Sequence, residues 1–116
     1  MLPLADIMRN LIADKSHKVA ICTARNLSKH DYDFIRERGL FCDHILARQN
    51  GDNRPDDELK YSKIWNLLTS LKIPRARWRS SVCLLDDNQS VLTMADKKLK
   101  ITTINAIDLN RKLKNA

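Results

Sequence analysis

Short apolar runs that stop on polar residues, separated by helix-patterned stretches, constrain the fold of this chain more than any other feature. The run "VAICT" at 19–23 ends on a hydroxyl, with a guanidinium two residues on at Arg25; the run "VCLLDD" at 82–87 ends on two carboxylates. Residues 18–23 read as a short buried strand. Ser28 followed by Asp31 is a capping box, opening a helix to about Arg38 that ends at Gly39. Residues 43–47, 82–86 and 100–104 make three further strands. Pro3 suits a first helical turn, and Leu4, Ile7, Met8, Leu11 and Ile12 recur at helical spacing, so 3–14 is an amphipathic helix. Asp56, Asp57 and Glu58 place negative charge where a helix start favours it. Ile64, Leu67, Leu68 and Leu71 continue that helix on one face until "KIP" terminates it. Residues 89–97 form another helix and 107–114 a last turn or two. "RQNGDNRP" is a turn-rich loop and "RARWRS" a basic connector. Strands alternating with helices imply parallel pairing through right-handed crossovers, hence an α/β fold with a mostly parallel sheet of about four strands.

A chain of 116 residues is one domain, with room for a core but not for a second domain. Lys and Arg outnumber Asp and Glu by 21 to 14, a formal charge of +7 that draws the chain toward nucleic acid, nucleotides or an acidic protein surface. No apolar run approaches membrane-spanning length, and "MLPLADIMRN" lacks the basic flank and cleavage site of a signal peptide, so no membrane association is expected. Cys22, Cys42 and Cys83 form no C-x-x-C pair; Cys22 and Cys83 lie in apolar runs, as reduced, packed thiols do. The expected location is the cytosol. His17, His30 and His44 show no ligand spacing.

In α/β sheets, ligands bind beyond the carboxyl ends of the strands. Thr23 and Arg25 end the first strand, Asp86 and Asp87 end the third, and Lys60 stands early in the helix after the polar loop. Paired carboxylates at a strand end can hold Mg²⁺, while a Thr hydroxyl and a Lys ammonium can neutralise and orient a phosphoryl group. Arg25 and Arg54 suit phosphate oxygens, because a guanidinium fork matches their geometry. Arg75, Arg77 and Arg79 around Trp78 combine charge that can track a phosphate backbone with a ring that can stack a base; the plainer alternative packs Trp78 under the sheet with solvated arginines around it. Plainer alternatives stand beside the others too: Thr23 as a β-branched strand residue, Lys60 as a solvated helix lysine, Asp86 and Asp87 as a capping pair before Gln89.

The order strand–Thr, Lys, strand–Asp-Asp resembles that of the haloacid dehalogenase-like (HAD) phosphohydrolases, a Rossmann-type three-layer fold. By that resemblance Thr23 is the phosphate-binding hydroxyl of the second motif, Lys60 the lysine of the third, and Asp86 and Asp87 the Mg²⁺ ligands of the fourth. The stretch "ILARQNGDNRPDDELKYSKIW" is similar to the polynucleotide 3′-phosphatase branch, including the phosphatase domains of phage polynucleotide kinases, where "R-P-D…K" precedes the acidic strand. The resemblance covers roughly residues 4–106.

One departure is large. The family's first motif, a strand ending in D-x-D that carries the aspartate nucleophile and the acid–base aspartate, is missing; Asp6 and Asp14 lie in the helix that stands in its place. "LLDDNQS" as a displaced first motif would set Asn88 where the acid–base aspartate belongs, and it follows the other motifs instead of leading them. That missing strand is central in the family, so the resemblance implies a truncated sheet. Its gap calls for direct pairing of strands 18–23 and 82–86, a homodimer, or a partner chain. With two carboxylates gone, any Mg²⁺ should bind weakly. Three readings follow. The first is a catalytically silent binding or regulatory protein for nucleic acid or nucleotide phosphate. The second is one part of a split Mg²⁺-dependent polynucleotide 3′-phosphatase. The third is an interaction protein, such as a phage inhibitor of a host factor. The first is the reading adopted.

Overall fold

The computed structural model describes residues 3–14, 16–42 and 44–115. They divide between two units, Met1–Asn53 and Arg54–Ala116. In the first, helix α1 (Pro3–Ala13) precedes strand β1 (Ala20–Cys22), helix α2 (Lys29–Glu37) and strand β2 (His44–Leu46). β1 and β2 pair in parallel, with Ala20 opposite His44 and Cys22 opposite Leu46. The strand expected over 43–47 begins at a residue, 43, outside the described set.

Helix α2 forms where its caps say it should. Ser28 accepts the Asp31 N–H at 3.3 Å, and Asp31 accepts the Ser28 N–H at 2.8 Å, so two otherwise orphaned donors are satisfied reciprocally. At the other end Gly39 takes φ 68°, its N–H donates to Arg36 and that of Leu40 to Ile35, closing the helix in a Schellman turn. Arg9 of α1 donates from Nε to the Arg38 carbonyl at 2.6 Å, which ties the first helix to the end of the second.

The second unit opens with α3 (Asp56–Ser70), continues through a short 3₁₀ turn (Arg75–Arg77) and α4 (Trp78–Ser81), and reaches β3 (Cys83–Asp86). Helix α5 (Gln89–Met94) runs directly into a π-helical turn (Ala95–Leu99), followed by β4 (Thr102–Asn105) and α6 (Ala106–Lys114). β3 pairs in parallel with β4, setting Leu85 opposite Ile104 and Asp86 opposite Asn105. The core of this unit is Leu59, Ile64 and Leu68 of α3, Trp78, and Val91, Leu92, Met94, Ala95, Leu99 and Ile101 around α5 and its extension. Ile64 and Leu68 are buried as their spacing predicts; Leu67 and Leu71 on the same face are half-buried.

The α/β class and the parallel pairing are as expected, but the strands are arranged as two parallel pairs. Each pair is one strand–helix–strand crossover, the shortest connection by which parallel strands can meet. The basic connector is a helical turn that seats Trp78 in the core. Cys83, expected as a packed thiol, is exposed, whereas Cys42 is buried and Cys22 half-buried. Among the described residues no helix is long and apolar enough to cross a membrane.

Two lysines adopt left-handed backbone, Lys72 at φ 57° and Lys100 at φ 55°. Both follow a helix end. After α3 the Lys72 N–H donates to Thr69 and the Ile73 N–H to Leu68, a Schellman turn with lysine where glycine is unstrained. Lys72→Gly is therefore expected to raise stability by about 1 kcal/mol, read as a higher urea midpoint at unchanged slope.

Candidate functional site

The turn after β1 is built by backbone and side chain together. Thr23 continues the ladder, its N–H donating to the Leu46 carbonyl at 2.8 Å. Its hydroxyl then accepts the Arg25 N–H at 3.2 Å, folding residues 23–25 into a tight turn at the carboxyl end of the strand. Arg48, just beyond β2, holds that turn: its Nε donates to the Ala24 carbonyl at 2.6 Å, its Nη1 to the Asp52 carbonyl at 2.7 Å, and its N–H to the Arg25 carbonyl. The sequence reading passed over Arg48; its signal is an arginine two residues past the end of the neighbouring strand.

The Arg25 guanidinium is 74% exposed and lies 3.5 Å from Asp31. Asp31 is held below the ordinary carboxylate range, first by the Ser28 N–H and next by its hydroxyl, with Arg25 adding a smaller pull. The same residue answers a question of motif. Asp31, Tyr32 and Asp33 spell D-x-D, but they open α2, where Asp31 is occupied as a cap, and end no strand.

In the second unit Lys60 and Asp86 are brought together. The Lys60 ammonium donates to Asp86 Oδ2 at 2.7 Å, with side-chain exposures of 11% and 7%. Asp86 Oδ1 accepts the Asn88 N–H at 2.9 Å. Lys60 is thus a buried, paired lysine, not a solvated one. The cap of α5 is Asn88, whose side chain accepts the Ser90 N–H, so the capping role weighed for the aspartate pair belongs to the next residue. Asp87 is exposed beside the buried Asp86.

This geometry bears on Mg²⁺. A magnesium ion takes one or two carboxylates plus phosphate oxygens and waters in a near-ideal octahedron. Here one carboxylate already has an ammonium on one oxygen and a backbone N–H on the other. Among the described residues no group of three or more His, Cys, Asp or Glu side chains is placed to hold a metal. As arranged, Asp86 is engaged on both oxygens, and Asp87 is the carboxylate of the two that is exposed.

The remaining candidates separate. Arg54 donates to Ser62 Oγ at 2.7 Å, across the first turns of α3. Arg77 is exposed in the 3₁₀ turn. Arg75 donates to the carbonyls of Lys98 (3.0 Å) and Leu99, and Arg79 to those of Asp96 and Ile101 (both 2.9 Å), so both satisfy carbonyls in or just after the π-helical turn. Trp78 is 1% exposed, donates its indole N–H to the Ile73 carbonyl at 2.9 Å, and meets Trp65 edge-on at 5.1 Å. The expectation that Trp78 stacks a base gives way to the plainer one, because a fully buried indole offers a base no open face. His17 is engaged with Asp14 at 3.2 Å, an ordinary surface pair.

Residues 1–52 match the family model described as the Bacteriophage T5 5′-deoxynucleotidase, a family of phage nucleotide phosphohydrolases. The match spans α1, β1, α2 and β2 and contains both Thr23 and Arg25. No curated protein and no solved structure matches the chain.

Proposed function

We propose that this chain is a phosphohydrolase-related protein that holds the phosphate of a deoxynucleoside monophosphate at the turn after β1, as a binding or regulatory protein. The observation that carries the reading is the nucleotidase-family match over the segment that builds this turn. The geometry supports it. A hydroxyl and an exposed guanidinium stand at the carboxyl end of a parallel strand, the edge at which α/β sheets take ligands. The choice of nucleotide follows from the family's description; the HAD resemblance supports the phosphate role of Thr23, and the 3′-phosphorylated end of a polynucleotide is the other ligand it suggests. Catalysis through a phospho-aspartate would need a D-x-D at a strand end, and no described strand ends in one. A Mg²⁺ ion would have to displace the Lys60 ammonium from Asp86, so its contribution is weak.

Equilibrium dialysis with a deoxynucleoside monophosphate tests this. Arg25→Ala is expected to weaken binding about tenfold or more, the worth of one charge-assisted hydrogen bond, with Thr23→Val weakening it less. Phosphate release from the monophosphate or from a 3′-phosphorylated oligonucleotide, with Mg²⁺, is expected to be absent. Binding indifferent to Arg25→Ala sinks the site; turnover sinks the silent reading.

A second reading has its own observation. Leu85 and Ile104 face each other across the β3–β4 ladder and are 39% and 37% exposed. Parallel sheets ordinarily have both faces covered. An uncovered apolar pair suits a covering layer from a second copy or a partner chain, and a two-stranded pair has edges at which a partner's strand supplying the D-x-D could add, as in a split phosphatase.

A further inference from the structure

The second unit carries 13 Lys and Arg against seven Asp and Glu, so nearly all of the +7 resides there. Part of that charge lines a cleft of about 360 Å³ formed by Arg75, Ala76, Arg79 and Lys100. We infer that this cleft binds the phosphate backbone of nucleic acid. The inference is independent of the nucleotide site proposed after β1.

Three observations carry it. The lining holds three cations and no carboxylate; Asp96, outside the lining, pairs with Arg79 at 2.7 Å and shares that one charge. Both guanidiniums are already immobilised. Arg75 is held by the Lys98 and Leu99 carbonyls and lies 4.3 Å from the Trp78 ring centre, while Arg79 is held by Asp96 and Ile101. A guanidinium has five N–H donors, so the two bonds of Arg75 leave others for a ligand, and its fixed geometry means little side-chain freedom is lost on binding. Finally, Lys100 occupies a left-handed position where glycine would be unstrained, which places a third cation on the cleft at a cost in backbone strain.

The class of ligand follows from the cleft being open. A lone small anion there keeps its water and gains little. A polyanion gains at every phosphate by releasing counterions, and it needs no enclosing pocket. The sequence suggested base stacking on Trp78 as part of such an interface; with that ring buried, contact is to the backbone and carries no base preference.

The test is fluorescence anisotropy of a labelled single-stranded oligonucleotide of about 12 nucleotides, titrated with the full chain over a range of salt. For three phosphate contacts, the logarithm of affinity should fall with the logarithm of salt at a slope of about 2. Lys100→Gly removes a cation while relieving strain, so the protein should melt no lower than wild type. It should bind about eightfold more weakly at about 50 mM salt, with the slope reduced by about 0.7. Should that variant fold poorly, Lys100→Asn tolerates the same backbone and repeats the measurement. The oligonucleotide ends in a 3′-hydroxyl and offers the turn after β1 no terminal phosphate, which separates this cleft from the nucleotide turn. Equal binding by Lys100→Gly and wild type overturns the proposal. So does competition by pyrophosphate at equal phosphate concentration, which marks a small-anion site. Equally tight binding to phosphatidylserine vesicles overturns it as well, in favour of an acidic surface of another kind.

Discussion

Asp86→Ala is expected to destabilise the second unit by about 3–5 kcal/mol, the range for removing one member of a buried ion pair. The loss comes less from the vanished attraction than from the Lys60 ammonium, left in a site only 11% exposed with no counter-charge. The Asn88 N–H loses its acceptor at the same time, at the start of α5. Since a folded domain is stable by only about 5–15 kcal/mol, the variant should lose a large share of its stability at 25 °C. Urea titration followed by tryptophan emission reads this directly. Lys60→Met combined with Asp86→Leu should recover most of the loss, because two apolar side chains need no partner. An Asp86→Ala loss under about 1 kcal/mol would mean that the pair is solvated, leaving the carboxylate available to a metal after all.

Trp78→Ala is the second large effect, expected to cost about 3–5 kcal/mol. The indole is the largest fully buried side chain among the described residues, and its removal opens a cavity between α3 and the helix end that Arg75 caps. It also leaves the Ile73 carbonyl without its donor. Trp78→Phe keeps most of the volume and the edge-on contact with Trp65, so its cost should be near the loss of that one hydrogen bond. The pair of variants separates core packing from nucleic-acid contact: Trp78→Phe should retain the oligonucleotide affinity of wild type. Marked weakening in that variant, at unchanged stability, would return Trp78 to the interface.

Local signals were legible without a structure. The Ser28 and Asp31 capping box, the Gly39 stop, the acidic first turn of α3 and its end at "KIP" are all chemistry between residues a few positions apart, and each stands where the sequence sets it. The strands too were found to within two residues, because a short apolar run between turn signals leaves few alternatives. The end of the helix after Gln89 was less legible. Its last turn is π-helical and runs two residues past the expected stop, with Lys100 holding the left-handed cap that glycine usually marks.

By itself the sequence determined the α/β alternation, the helix ends and the positive charge, and it offered the candidates for a phosphate site. Only the tertiary structure decided which partners those residues have. Lys60 meets Asp86 across 26 positions, and Arg75 and Arg79 reach backbone carbonyls at least 17 positions away. Trp78 is buried while Trp65, on α3, keeps an exposed edge. Burial and long-range pairing depend on where elements dock, and side chains of the same type look alike in a sequence until docking takes one out of water and leaves the other in it.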